Sequence, residues 1–104
     1  MPSIDIKTPH SRKTEDVIER IEDYLLKMRD EKLKSLGFQF KWDRTGERRR
    51  VDFKGRGFEG FLAFNDLEVS IHVELNLLLA PLKAKVEESM RRHLDQSLNP
   101  PAGA

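Results

Sequence analysis

The clearest pattern in the chain runs from Gly57 to Glu74, GFEGFLAFNDLEVSIHVE. Leu67, Val69, Ile71 and Val73 alternate with Glu68, Ser70, His72 and Glu74, the period-two signature of a strand with one buried face. Before it, Phe58, Leu62 and Phe64 fall on one side, and Glu59 and Phe61 on the other. Asn65-Asp66 suits a two-residue hairpin turn. Pairing Phe64 with Leu67 then sets Leu62 opposite Val69 and Gly60 opposite Ile71. Every large apolar residue except Phe61 shares one face, and that face needs a cover.

The rest of the chain supplies it. Ser3 to Lys7 reads as a short strand with Ile4 and Ile6 facing in, ended by Thr8-Pro9. Ser11 and Thr14 are candidate N-caps for a helix from about Lys13 to about Lys34, and Glu15 and Asp16 suit its positive end. Val17, Ile18, Ile21, Tyr24, Leu25 and Met28 form its apolar stripe, and Gly37 is placed to end it. Phe38, Phe40 and Trp42 alternate with Gln39 and Lys41 in a strand. After a polar turn from Asp43 to Gly46, Arg49, Val51 and Phe53 alternate with Arg50, Asp52 and Lys54 in another. Gly55-Arg56-Gly57 turns into the hairpin. At Leu77-Leu78-Leu79 alternation stops. Pro81 suits a first helical turn, and Leu82, Val86, Met90, His93 and Leu94 follow helical spacing. The predicted order is β-α-β-β-β-β-α: an α+β domain with a twisted antiparallel sheet packed on two helices, somewhat like a reduced helix-grip fold. The first strand is expected to pair with the last strand of the meander.

Composition narrows the function classes. The 104 residues make one domain over 1–98, followed by a tail, 99–104, expected to be disordered. Lys+Arg 19 nearly cancels Asp+Glu 18, so no global charge draws the chain to nucleic acid or anionic lipid. Cysteine is absent, which excludes disulfides, thiolate metal sites and a thiol nucleophile, and fits a cytoplasmic protein. No signal-peptide core precedes the first strand, and no apolar run approaches the ~18 residues of a membrane span.

Candidate chemistry is sparse. His10, His72 and His93 have no metal-ligand spacing. His10 is placed to bond backbone at the helix entry, His72 lies on a polar strand face near Glu74, and His93 borders the second helix's stripe. No serine sits in a nucleophile elbow. Gly55, Gly57 and Gly60 spell G-x-G-x-x-G, but a strand follows rather than a helix, so turn geometry and close packing opposite Ile71 explain them. Neither an enzyme nor a cofactor is predicted. Arg44, Arg48, Arg49, Arg50, Lys54 and Arg56 cluster on one hairpin, with Arg48, Arg49 and Arg50 a candidate anion site. The pattern sets Arg49 on the inward face beside Phe40, where it needs a carboxylate or an anionic ligand, unless it reaches out at the sheet's end. A cleft between sheet and last helix, lined by Phe38, Phe40, Trp42, Phe58, Leu62, Val86 and Met90, is a candidate acyl site. The LLLAPL segment either lies on a hydrophobic surface or closes the core through Leu77, Leu79, Leu82 and Val86.

Several landmarks in order carry a resemblance: Ile4-Asp5-Ile6 with Pro9-His10-Ser11, then Trp42, then Gly57-Phe58-Glu59-Gly60, then Leu77 to Glu87 (LLLAPLKAKVE) ending in Leu94-Asp95. From Ile4 to about Leu98 the chain resembles the bacterial polyhydroxyalkanoic acid system family, departing from it in a longer, more basic turn from Asp43 to Arg50. The resemblance implies a setting in polyester storage and assigns no catalytic residues. The expected function is that of a non-enzymatic accessory protein, cytoplasmic and granule-associated, monomeric or homodimeric. It would bind a polyhydroxyalkanoate granule, an acyl ligand or a granule protein. The alternative is a nucleic-acid or protein binding module using the Arg44–Arg56 hairpin.

Overall fold

The structure, a computed structural model, describes residues 2–43 and 49–99. Strand β1 (Ser3–Pro9) leads into helix α1 (Thr14–Lys27). Strands β2 (Gln39–Trp42), β3 (Arg50–Gly55), β4 (Phe58–Phe64) and β5 (Glu68–Leu75) follow, and helix α2 (Lys83–Leu98) comes last. The sheet is antiparallel in the order β1-β5-β4-β3-β2, so the fold is α+β. Its inner face carries Ile4, Ile6, Val51, Phe53, Leu62, Phe64, Val69, Ile71, Val73 and Leu75, all buried. Val17, Ile21, Tyr24 and Leu25 of α1, with Leu94 and Leu98 of α2, complete the same core. Each fully buried aliphatic side chain contributes roughly 1.5–3 kcal/mol of transfer free energy.

Several local expectations are corrected. β1 continues past Lys7, with Thr8 opposite Val69 and Pro9 opposite Glu68. It is an edge strand, and Pro9 stands at its last position, where a missing N–H costs little. His10 N–H then continues the ladder to the Leu67 carbonyl at 2.9 Å. Lys13, not Ser11 or Thr14, is the N-cap of α1, with no side-chain cap. Its N-terminal turn is held instead by an Arg12–Asp16–Arg20 cluster. α1 also stops at Lys27 rather than near Lys34. A π turn (Met28–Lys32) and a 3-10 turn (Lys34–Leu36) carry the chain on. Gly37, at φ +65°, ends this segment in the left-handed conformation glycine adopts freely.

The β4–β5 hairpin is displaced from its expected register by two residues. Phe64 pairs with Val69, Leu62 with Ile71, and Gly60 with Val73. Asp66 and Leu67 become the central turn residues, and Asn65 N–H bonds the Glu68 carbonyl at 3.0 Å. The cause is the Asn65 side chain, whose Oδ1 accepts the N–H groups of Leu67 (2.8 Å) and Glu68 (2.9 Å). Leu67 therefore leaves the inner face and is 75% exposed. A shift of two preserves which face every other residue occupies. Gly60 is required by a close approach: a Cβ there would collide with the His72 carbonyl oxygen.

The segment after β5 divides its leucines. Leu79 and Val86 pack against the core, whereas Leu77, Leu78 and Leu82 are 80%, 85% and 47% exposed, so Leu77 and Leu82 do not close it. Pro81 lies in a 3-10 turn (Ala80–Leu82) just before α2. Asn99, expected in a loose tail, donates through Nδ2 to the Pro9 carbonyl at 2.9 Å. Residues 100–104 lie outside the described residues.

A candidate acyl cavity between the helices and the sheet

The two helices are tied together at one end and part at the other. Where α1 begins and α2 finishes, the Arg12 guanidinium donates to the Leu98 carbonyl and Arg20 Nη1 to the Ser97 carbonyl at 2.8 Å. Asp16 accepts from both arginines, and these bonds hold its carboxyl below the ordinary carboxylate range. Leu94 and Leu98 close the space beneath with no measurable exposure. At the opposite end α1 gives way to the π turn, and Val86 and Met90 of α2 are only partly covered.

A cavity of about 420 Å³ fills that space. Such a volume lies within the range of about 300–1,000 Å³ typical of small-molecule sites. Its floor is the inner sheet face: Phe53, Phe58, Leu62, Ile71, Val73 and Leu75. Phe38, just before β2, stacks on Phe53 and Phe58 at centroid distances of 5.7 and 6.1 Å. The walls come from Tyr24, Leu25 and Met28, from Leu33 and Leu36 in the turns after α1, and from Leu79, Val86 and Met90. Lys32, Leu82 and Lys85 line it where it reaches the surface. Polar side chains occur only on the helical side, as Tyr24, Lys32, Lys85, Ser89 and His93. Burial pushes the Tyr24 phenol above its usual range, and its hydroxyl has no hydrogen-bond partner among the described residues.

Of the residues predicted to line a cleft, Phe38, Phe58, Leu62, Val86 and Met90 line this cavity. Phe40 and Trp42 do not. They share the inner face, but on the edge strand β2, where Trp42 is buried opposite Val51 and Phe40 is half-buried opposite Phe53. Sequence reasoning missed Tyr24, Met28, Lys32, Lys85, Ser89 and His93 as lining residues. The signal available for Tyr24 was a phenol inside an otherwise aliphatic stripe.

The arginine candidates do not converge among the described residues; Arg44 and Arg48 lie outside them. Arg49 sits beside Phe64 rather than Phe40, its guanidinium 6.0 Å from that ring, with Nη1 3.2 Å from Asp66 Oδ1 and Nη2 3.5 Å from Thr14 Oγ1. The carboxylate it was expected to need is therefore present. Arg50 lies on the outer face, over the Phe61 ring at 4.1 Å and paired with Asp52 at 3.1 Å.

The histidines separate by environment. His10 Nε2 donates to the Asn65 carbonyl at 2.7 Å while Nδ1 accepts from Arg12 N–H at 3.1 Å, a structural role at the helix entry. His93 Nδ1 donates to the Ser89 carbonyl at 2.7 Å. His72 Nδ1 lies 2.7 Å from Asp5 Oδ1 and Nε2 3.7 Å from Glu74 Oε1, in a shallow outer-face groove with Phe61. The bond to Asp5 raises its pKa above the ordinary histidine value. No group of His, Asp and Glu suited to a metal ion occurs among the described residues. Among them, no helix is long and apolar enough to cross a membrane.

Comparison with known proteins bears on this arrangement. Residues 4–98 match the model of a family described as "Putative polyhydroxyalkanoic acid system protein". A search of curated proteins returns no match. Among solved structures, the chain is similar to TTHA0849 from Thermus thermophilus, with a TM-score of 0.56 and 14% identity, over 93% of this chain and 97% of that one. At that identity the likeness speaks to the fold alone.

Proposed function

The chain belongs to the polyhydroxyalkanoic acid system family, and from that premise we propose that it is a non-enzymatic accessory protein of polyester storage whose cavity takes an acyl chain. The observation that carries this reading is the cavity of about 420 Å³, carbon-lined across the sheet and rimmed by Lys32 and Lys85. Apolar walls favour a hydrocarbon chain, and two ammonium groups at the rim favour a carboxylate or other anionic head. On this reading the fold works as a reduced helix grip, with the helices pinned at one end and holding the ligand at the other.

Native mass spectrometry of protein purified without denaturation, with added decanoate, tests the proposal. The expected result is a one-to-one complex that is lost in Val86→Trp, where the indole fills the cavity, while the variant keeps its fold. Absence of a complex with the wild-type protein at millimolar decanoate would sink it.

The exposure of Leu77 and Leu78, near Leu82 and two lysines of α2, favours a second reading in which this end rests on a hydrophobic granule surface. Co-sedimentation with polyester granules, reduced at least several-fold by the double change Leu77→Ser and Leu78→Ser, supports it. Unchanged co-sedimentation removes it.

A further inference from the structure

Both helices pack on the inner face of the sheet, and the outer face divides by charge along the strand order. On β1 and β5 its side chains include Asp5, Glu68 and Glu74 against Lys7. On β3 and β2 they include Arg50, Lys54 and Lys41 against Asp52. Between these halves, on the middle strand β4, Phe61 is the large apolar side chain of this face. We propose that the outer face docks a second copy of this chain, sheet on sheet, around a two-fold axis running along β4. The proposal does not rest on the acyl reading, because the helix layers turn outward in such a pair and both cavity mouths stay open.

Register selects this axis. One row across the outer face is Asp5, His72, Phe61, Asp52 and Lys41, and the next is Ser3, Glu74, Glu59, Lys54 and Gln39. An axis along the middle strand lays β5 of one copy over β3 of the other and β1 over β2, with the rows aligned. Asp5 then meets the second copy's Lys41, Glu74 meets its Lys54, and His72 meets its Asp52. Each contact is made twice, and carboxylates face cations or an imidazole. Phe61 meets its own copy at the centre, with Arg50 4.1 Å and His72 5.5 Å from its ring. Glu59 is the charge in these rows that also meets its own copy, and Lys54 stands beside it. A two-fold axis across the strands fails this test: it sets Lys54 against Arg50, and Asp5, Asp52 and Lys41 each against itself. Strands about 4.8 Å apart and a rise of about 3.3 Å per residue make the face roughly 20 by 20 Å. That size lies at the low end of specific interfaces, so the pair is a concentration-dependent one.

Sedimentation equilibrium of the full chain, at concentrations up to about 500 μM, tests the inference. The wild type is expected to show a monomer–dimer equilibrium in the micromolar range. Glu74→Lys sets lysines against the second copy's Lys54, and Lys54→Glu sets carboxylates against its Glu74. Each change alone is expected to weaken the dimer at least about tenfold, with circular dichroism showing the fold retained. Mixing the two variants in equal amounts restores opposite charges at both places in the pair. The mixture is therefore expected to form a mixed dimer within about threefold of the wild-type affinity. A wild type that stays monomeric throughout overturns the proposal. So does a dimer that survives both single changes, as one built through Leu77 and Leu78 or through a sheet edge would. A mixture that stays monomeric while the wild type dimerises overturns the axis along β4.

Discussion

The pinned and parted ends of the helix layer use different interactions. At the pinned end, guanidinium groups of the α1 N-terminal region reach the last carbonyls of α2, Asp16 links the two arginines, and Leu94 and Leu98 fill the space below. At the parted end the helical walls are mostly flexible or half-covered side chains: Met28, Leu33, Leu36, Val86 and Met90. Directional bonds fix an interhelical distance, whereas contacts among methionines and leucines tolerate several. One short domain thus concentrates its rigidity where the helices meet and leaves adaptable packing around the cavity.

This contrast breaks if truncations at the two ends cost the same. Leu98→Ala is expected to destabilise by about 2–5 kcal/mol, since the side chain is fully enclosed and the arginine ties resist collapse into the void. Met90→Ala, beside space that already exists, is expected to cost about 1 kcal/mol or less. Chemical denaturation of both variants at one pH checks the difference, and equal losses would remove the distinction between the ends. Next in size is Arg20→Ala, which deletes the bond to the Ser97 carbonyl and is expected to cost about 1 kcal/mol. The ties should also weaken in acid. The folded-state pKa of Asp16 lies below its ordinary value, so its contribution is complete above the unfolded carboxylate pKa, near 4. It is lost as pH falls through the lower folded value. Denaturation midpoints of wild type and Asp16→Asn should therefore converge at low pH.

Much of the fold was legible because a sheet face depends only on parity. The alternation of Val69, Ile71 and Val73 fixes which side is buried, and the two-residue register shift at Asn65 leaves that answer unchanged. The turn itself was not legible, because an Asn side chain accepting two N–H groups competes with the backbone preference that pattern reading relies on. The end of α1 was missed for a similar reason. Residues 28–34 are good helix formers, and the π turn there is a tertiary outcome. The cavity was partly legible. Periodicity places Phe38, Phe58, Leu62, Val86 and Met90 on inward faces, where they line it. It equally places Phe40 and Trp42 inward, and although the expected strand pairing already set β2 at the sheet's edge, periodicity cannot say that the cavity stops short of that strand. Tyr24 was hidden because a period count scores tyrosine as one more apolar residue.

The smallest predicted effect lies on the outer sheet face, away from both helix ends, and it sharpens the contrast by isolating the cavity from surface charge. Across the strands, Asp5, His72, Phe61, Asp52 and Lys41 stand in register. His72 is held between Asp5 and Glu74, so its folded-state pKa is raised, chiefly by the Asp5 bond. A raised folded value means that protonated His72 favours the native state. That contribution is complete below the unfolded histidine pKa, near 6.5, and disappears as pH rises through the folded value. The groups are substantially solvent-exposed, so the effect is less than about 1 kcal/mol. Asp5→Asn should lower the denaturation midpoint slightly at pH 6 and by a smaller amount at pH 9. At any single pH it should leave affinity for decanoate unchanged, because the sheet separates the pair from the cavity. A change in affinity would mean that the sheet transmits charge or strain to the parted end, and that the cavity is less isolated from the outer face than its position implies.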